Sequence, residues 1–396
     1  MTLTPFITLN AEQSNSLLSN NVIQCYTTKK TPFFDVYRIA IRDDAGELVD
    51  EQYYLVNTSD STSFLGQGAF GKVLKAYLLK VDRTNADSQG QTFAVDILHP
   101  VVLKCCFEKE DKERQELDLL QEISILHQID PDVSRGITTV TYANGEIAFV
   151  FAQRYIAGKP VKHTALQNQI AKLSITERSL IQLQGMMQIH NFHCQTNQPV
   201  LFADIKLENT LLAISVVNGQ IQIIFSLIDV GVSLTLTSQN ITDIINAMGS
   251  IATMAPEVAN RQASPKSDIY SYVSIMLYWL GVDEPRVEKA KDRRKLDADG
   301  QIILSNYIMK DYLHPGKIIL PSINVQTRLQ IQVLITKFIM RMMATKVELR
   351  ADTHESLSFT NTFYHLCLLN DRMQAINHYK ENNSRISNVT LTMEVH

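Results

Sequence analysis

Phe202-Ala203-Asp204-Ile205-Lys206-Leu207-Glu208-Asn209 leads into an apolar run, and Ile228-Asp229-Val230-Gly231 follows that run. Further downstream come Met254-Ala255-Pro256-Glu257 and Ser267-Asp268-Ile269-Tyr270-Ser271, the latter opening a helical pattern. Upstream, Val101-Val102-Leu103-Lys104 reads as an apolar strand ending in lysine, with Glu122 eighteen residues later on a predicted helix. Further upstream still is Leu65-Gly66-Gln67-Gly68-Ala69-Phe70-Gly71-Lys72-Val73, a G-x-G-x-x-G-x-V string between two apparent strands. Glycines there let backbone approach phosphate oxygens, because no Cβ intervenes and positive φ is allowed. Taken alone, the string fits an ordinary glycine-rich hairpin equally well. A dinucleotide-binding fingerprint would need a helix after it, whereas Val73–Leu79 reads as a strand.

The order and spacing of these segments resemble the protein-kinase signature set over roughly residues 60–370. The resemblance implies an α+β, bilobal kinase fold: a β-rich N-lobe with one helix, a mostly helical C-lobe, and nucleotide bound between them. It also implies residue roles, since phosphoryl transfer demands alignment and charge neutralisation more than covalent chemistry. Lys104 would pair with the α- and β-phosphates of ATP and be held there by Glu122. Lys80 is the rival, but it lies only nine residues after Gly71, too few for a turn and a returning strand. Asn209 and Asp229 would ligate Mg²⁺, or Mn²⁺ in its place, through hard oxygens. Asp204 would take the proton of the attacking hydroxyl, and Lys206 would reach the γ-phosphate. Gly66, Gly68 and Gly71 would cover the phosphates. Val73, Val102 and Leu211 would sandwich adenine, Gln153 would be the gatekeeper, and the backbone of Arg154 and Ile156 would bind the base. Glu257 would pair with Arg350, and Asp268 would accept backbone N–H groups of the catalytic loop.

The implied activity is ATP-dependent phosphorylation of Ser/Thr hydroxyls on a protein substrate. Asp204-x-Lys206 resembles the Ser/Thr-specific class, and Gly249-Ser250, five residues before Ala255-Pro256-Glu257, matches the family's Gly-Thr. Two other readings stand beside it: a kinase-fold enzyme acting on a small molecule or lipid, and an ATP-binding scaffold that presents a surface. Three positions depart from the family. Phe202-Ala203 replaces the usual His-Arg, and Val230 replaces the usual Phe. Without that arginine an activation-loop phosphate has no guanidinium to neutralise, so the chain is expected to be active as made or switched by an activating protein partner. The divergent wording and Asn/Gln/Ile-rich composition resemble eukaryotic-like kinases that intracellular bacteria inject into host cells.

Composition narrows the remaining classes. The 396 residues are 45% hydrophobic and carry 37 basic against 41 acidic side chains, too acidic a balance for a nucleic-acid binder and too apolar for a disordered chain. No apolar run is long enough for a membrane span, and Met1–Gln13 lacks a secretory pattern. The five scattered cysteines read as reduced thiols in a cytosol-like, cytoplasmic setting. The expected organisation is an N-terminal extension with a β-hairpin packed on the N-lobe over 1–58, the N-lobe over 59–157, the C-lobe over 158–378, and a weakly ordered polar tail over 379–396. Helices are expected over 108–129, with Leu117, Leu120, Ile123 and Leu126 on the packed face, and over 177–190, 266–280, 325–344 and 353–369. His190-x-x-His193-Cys194 has metal-ligand residue types, but two imidazoles and one thiol make an incomplete zinc set. Lys289–Lys295 reads as a solvated basic loop, and Cys105 and Cys106 as strand neighbours facing opposite ways.

Overall fold

The computed structural model describes residues 6–26, 32–42, 47–68, 71–81, 90–129, 136–194, 199–218, 220–236, 242–243, 249–250, 253–259, 262–280, 325–344 and 346–393. The chain divides into two compact units, Met1–Ile156 and Ala157–His396.

The first unit runs β1 (Phe6–Asn10), α1 (Ala11–Asn20), β2 (Val22–Tyr26), β3 (Pro32–Arg42), β4 (Leu48–Val56), β5 (Phe64–Gly68), β6 (Gly71–Val81), β7 (Gly90–Phe107), α2 (Lys112–Ile129), β8 (Ile137–Thr141) and β9 (Ile147–Arg154). All nine strands join one sheet in the order β2-β3-β4-β6-β7-β9-β8, with β1 added to β7 and β5 to β6. The hairpin expected in the extension is β3–β4. It hydrogen-bonds into the sheet through Tyr53–Leu55 of β4 opposite Tyr77–Leu79 of β6. The sheet also curls until its ends meet. Thr138 Oγ1 on β8 accepts the Ala40 N–H of β3 at 2.8 Å, and Asn21 Nδ2 donates to the Thr139 carbonyl at 3.0 Å.

Alternation of side chains along each strand sorts the core into layers. Tyr37, Ile39, Tyr54, Leu74, Leu103, Cys105, Val140 and Val150 fill the inside of the curled sheet. Val36, Tyr53, Leu55 and Phe93 face outward and are covered by Ile7 and Leu9 of β1 and Leu17 of α1. Cys106, Phe149 and Phe151 face α2, so the two adjacent cysteines do point opposite ways.

Two expectations on this unit change. On α2 the buried face is Gln115, Leu119, Glu122, Ile123 and Ile125, while Leu117 is 67% exposed and Leu120 43% exposed. Steps of three fall about 60° short of a full turn each, so a run of such steps sweeps around the helix rather than along one face. The other change is α1, which carries no apolar period. It is set by its ends: Asn10 Oδ1 accepts the Gln13 N–H at 2.8 Å, Gln13 Oε1 accepts the Asn10 N–H at 3.0 Å, and Asn21 closes the helix at φ 57°.

Asp35 on β3 shares the inner face of Tyr37, is 6% exposed, and its Oδ1 has no hydrogen-bond partner among the described residues. Burial pushes its carboxyl up from 3.8 to about 6, against the pull of the Lys72 ammonium. A folded value above the unfolded one means the fold holds this proton more tightly. Its ionisation therefore costs no stability below about pH 4, and stability falls as pH rises through about 6. Asp35→Asn is expected to raise the urea midpoint at about pH 8, by up to about 3 kcal/mol in stability, and to change it little at about pH 4. An equal effect at both pH values would contradict this.

The second unit contains β10 (Lys159–Pro160), α3 (Thr164–Ile170), α4 (Ile175–Cys194), β11 (Val200–Leu201), β12 (Thr210–Val217), β13 (Gln220–Leu227), β14 (Leu234–Thr235), β15 (Thr242–Asp243), α5 (Pro256–Ala259), β16 (Gln262–Ala263), α6 (Pro265–Trp279), α7 (Val325–Met342) and α8 (Thr353–Met393). α6 is buried along most of its length, with Pro265 in its first turn and the Ser264 N–H donating to Ser267 Oγ at 3.1 Å. β12 and β13 form a hairpin beneath α4, where Gln184 and Gln188 bond the carbonyls of Ile223 and Phe225. α8 runs to Met393, beyond the expected helix over 353–369, so residues 379–393 are helical rather than a weakly ordered tail. No glycine or proline occurs from Ala351 onward to stop it. No described helix is long and apolar enough to cross a membrane. Lys289–Lys295 lies outside the described residues.

Candidate active site

In the first unit the glycine string is a hairpin. Gly66 pairs with Val73, Gln67 with Lys72 and Gly68 with Gly71; Ala69 and Phe70 at its tip lie outside the described residues. Gly71 cannot be replaced without movement, because its φ is +147° and a Cβ would sit 1.9 Å from the Cys105 carbonyl oxygen. Gly66 has open space where a Cβ would go.

β7 lies opposite both β6 and β9. Val73 is across from Lys104, Val102 from Gln153, and Lys104 from Phe151, so Val73, Val102, Lys104, Phe151 and Gln153 share one face. Lys104 Nζ donates to both oxygens of Glu122 at 2.8 and 3.0 Å, and Glu122 is only 4% exposed. Lys80 is at the far end of β6, its side chain 65% exposed, with Asp96 at 3.4 Å. The long interval before Lys104 has a physical form. The β6–β7 register passes from Tyr77↔Pro100 to Leu79↔Val95, so Asp96–His99 bulges opposite Leu78 alone. Most of the polar stretch 83–91 lies outside the described residues. Arg154 ends β9, exposed, and Ile156 follows it half-buried.

In the second unit the loop after β11 alternates. Ile205, Leu207 and Asn209 are buried, while Asp204 and Lys206 are half-buried and Glu208 is exposed. The turn into it is made by Ala203 at φ +61°, a left-handed conformation that costs about 1–2 kcal/mol for a residue with a Cβ. Asp268, opening α6, holds that turn: its carboxylate accepts the Phe202 N–H at 2.8 Å and the Ala203 N–H at 3.0 Å. His193 Nε2 lies 2.9 Å from the same carboxylate, and His193 Nδ1 lies 2.7 Å from Thr353 Oγ1. His193 is therefore a buried support of the loop, a role its place beside His190 and Cys194 in sequence did not suggest. Phe202 is buried against Phe192 with ring centroids 4.2 Å apart, and Val230 is buried as well.

Around Asp204 the polar groups converge. Lys206 Nζ is 2.5 Å from Asp204 Oδ2 and donates to Ser250 Oγ at 2.9 Å; the Ser250 N–H donates to Asp204 Oδ1 at 2.8 Å. Gly249 makes this approach feasible, since a Cβ at its φ of +91° would lie 2.2 Å from the Ala203 carbonyl oxygen. Asn209 Nδ2 donates to the Asp204 carbonyl and carboxylate at 3.0 and 3.1 Å. Asp229 is exposed at φ +68°, and Leu211 is half-buried on β12. Asp229 and Asn209 together offer a hard oxygen set, the chemistry that suits Mg²⁺. Ser233 is buried and donates to the Phe202 carbonyl at 3.1 Å, so it is part of the loop's support rather than a free hydroxyl. Arg350, 1% exposed, forks onto both oxygens of Glu257.

Residues 60–360 match the protein kinase domain family. Over 236 residues the chain is 25% identical to the dual specificity protein kinase splA of Dictyostelium discoideum, an alignment covering 56% of this chain and 9% of that protein. The chain thus spans under a tenth of that relative's length.

Proposed function

The chain belongs to the protein kinase domain family, and from that premise we propose that it transfers the γ-phosphate of ATP to serine or threonine hydroxyls of a protein. The observation that carries the specificity is the cluster of Asp204, Lys206 and Ser250, in which one lysine ammonium reaches both the carboxylate and the serine hydroxyl. In this reading Asp204 orients the substrate hydroxyl and accepts its proton, while Lys206 neutralises charge on the transferred group. Lys104, held by Glu122, meets the nucleotide phosphates under the backbone of Gly66, Gly68 and Gly71. Val73, Val102, Gln153 and the backbone of Arg154 and Ile156 receive the adenine. Asn209 and Asp229 would hold Mg²⁺, which when bound neutralises phosphate charge. The buried His193–Asp268 pair keeps the Phe202 and Ala203 amides fixed, so Asp204 is oriented before substrate arrives.

The test is incorporation of radiolabelled phosphate from ATP into generic protein substrates by the purified chain, with Mg²⁺ or Mn²⁺, followed by phosphoamino-acid analysis. Phosphoserine and phosphothreonine are expected, with a loss of about a hundredfold or more in Asp204→Ala. Phosphotyrosine alone would overturn the specificity. ATP binding without transfer would favour the scaffold reading.

A further inference from the structure

We propose that His190, Cys194 and His354 form a binding site for one divalent cation of the zinc class, pinning the end of α4 to the start of α8. His190 and Cys194 are four residues apart on α4 and so lie on one face, the spacing by which a helix offers two ligands to one ion. The third ligand comes from 160 residues further along, at the second position of α8. His190 Nε2 is 3.2 Å from His354 Nδ1, and Cys194 Sγ is 3.8 Å from His354 Nε2. One ligand atom from each residue lies within 4.8 Å of the others. A tetrahedral zinc ion with ordinary bond lengths sets such atoms about 3.3–3.6 Å apart, so modest side-chain rotation closes the set.

The chemistry of the three groups is consistent with this. Burial and the neighbouring His354 lower the His190 pKa, which keeps its lone pair available. Burial and the Asp352 carboxylate raise the Cys194 pKa, so the thiol is protonated in the free protein and a bound cation must displace that proton into solvent. Of the five cysteines, Cys25, Cys105, Cys106 and Cys367 are buried, and Cys194 alone is exposed. Two imidazoles and a thiolate are borderline-soft ligands, unlike the oxygens of Asn209 and Asp229, so the two sites select different ions. A fourth position is left for water.

The site sits over the support of the catalytic loop. Cys194 adjoins His193 and His354 adjoins Thr353, the pair whose 2.7 Å contact, together with Asp268, holds the loop turn. A cation bridging the flanking residues would tighten that contact from the solvent side. The inference does not depend on the identity of the phosphoryl acceptor.

The experiment titrates the full chain, made without a histidine tag and stripped by chelator, with Co²⁺ and then Zn²⁺. One equivalent of Co²⁺ is expected to produce a near-ultraviolet thiolate-to-cobalt band that Zn²⁺ abolishes. Cys194→Ser should lose the band, and His354→Ala should weaken binding about tenfold or more. Zn²⁺ should raise the melting temperature of the wild type by several degrees and leave that of His354→Ala unmoved. Absence of one-equivalent binding at micromolar metal, a band that survives in Cys194→Ser, or an undiminished affinity in His354→Ala would overturn the proposal. Both side chains are at the surface, and melting of the metal-free variants verifies that they fold.

Discussion

Lys104→Met is expected to lower phosphoryl transfer about 10²–10³-fold or more, while Lys80→Met leaves it within a few-fold. The difference follows from what each ammonium is held by. Lys104 projects from near the C-terminal end of β7 and is fixed by two hydrogen bonds to a carboxylate that α2 buries. A preorganised charge of this kind costs no rearrangement when phosphate arrives, which is why its loss is felt in the rate. Lys80 has an exposed side chain and, among the described residues, an ion pair with Asp96 at 3.4 Å, an arrangement worth at most about 1 kcal/mol. Glu122→Gln separates positioning from charge. It leaves the lysine in place but loosens it, so the fall should be smaller than in Lys104→Met. Rates measured at saturating ATP for the three variants check the order. An inactive Lys80→Met beside an active Lys104→Met would reverse the assignment of the strands.

Arg350→Met is expected to destabilise the second unit by about 3–5 kcal/mol, because it strands a carboxylate that was buried with its partner. Arg350 donates to both oxygens of Glu257 and to the carbonyls of Ala344 and Lys266, and Tyr270 packs over the guanidinium. Glu257 accepts in addition from Ser267 Oγ at 2.7 Å, which ties α5 to the first turn of α6. For a unit of this size the loss corresponds to a fall of ~6–20 °C in melting temperature. Removing both charges together, as Glu257→Gln with Arg350→Met, should cost less than the sum of the single changes, since no charge is then left alone. A calorimetric scan showing Arg350→Met within a degree or two of wild type would refute this.

Much of this was legible in the chain. The glycine hairpin, Lys104 with Glu122, and the polar residues from Asp204 to Asn209 are local patterns whose chemistry shows in residue types and spacing. Glu257 with Arg350 could be anticipated only through family likeness, since ninety-three residues separate them. α1 was missed because Ala11–Asn20 has two adjacent leucines and no period, although the Asn10 and Gln13 capping box was there to be read. The exposed leucines of α2 were mistaken for its core because spacing by threes was treated as one face. His193 and His354 could not be sorted from sequence. Which imidazole turns inward to Asp268 and which meets Cys194 is decided by where α8 docks on α4, a tertiary fact.

The kinase match begins at residue 60, yet four of the nine strands precede it, and the curled sheet closes only when residue 138 reaches residue 40. On the ribosome this imposes an order. The first sixty residues emerge with their outer apolar face still lacking Leu79, Phe93 and Val95 and with β1 lacking its partner, because Phe6–Asn10 pairs with Gly90–Ala94. At about 5–20 residues per second, the interval between residue 40 and residue 138 is ~5–20 s, long compared with hairpin formation in about 1–10 μs. The β3–β4 hairpin therefore has time to form and must then wait, with an unpaired edge, for the segment that closes it. A nascent chain stalled near residue 100 would expose that edge to chaperones or to its neighbours on the same message, and one stalled well past residue 154 would not.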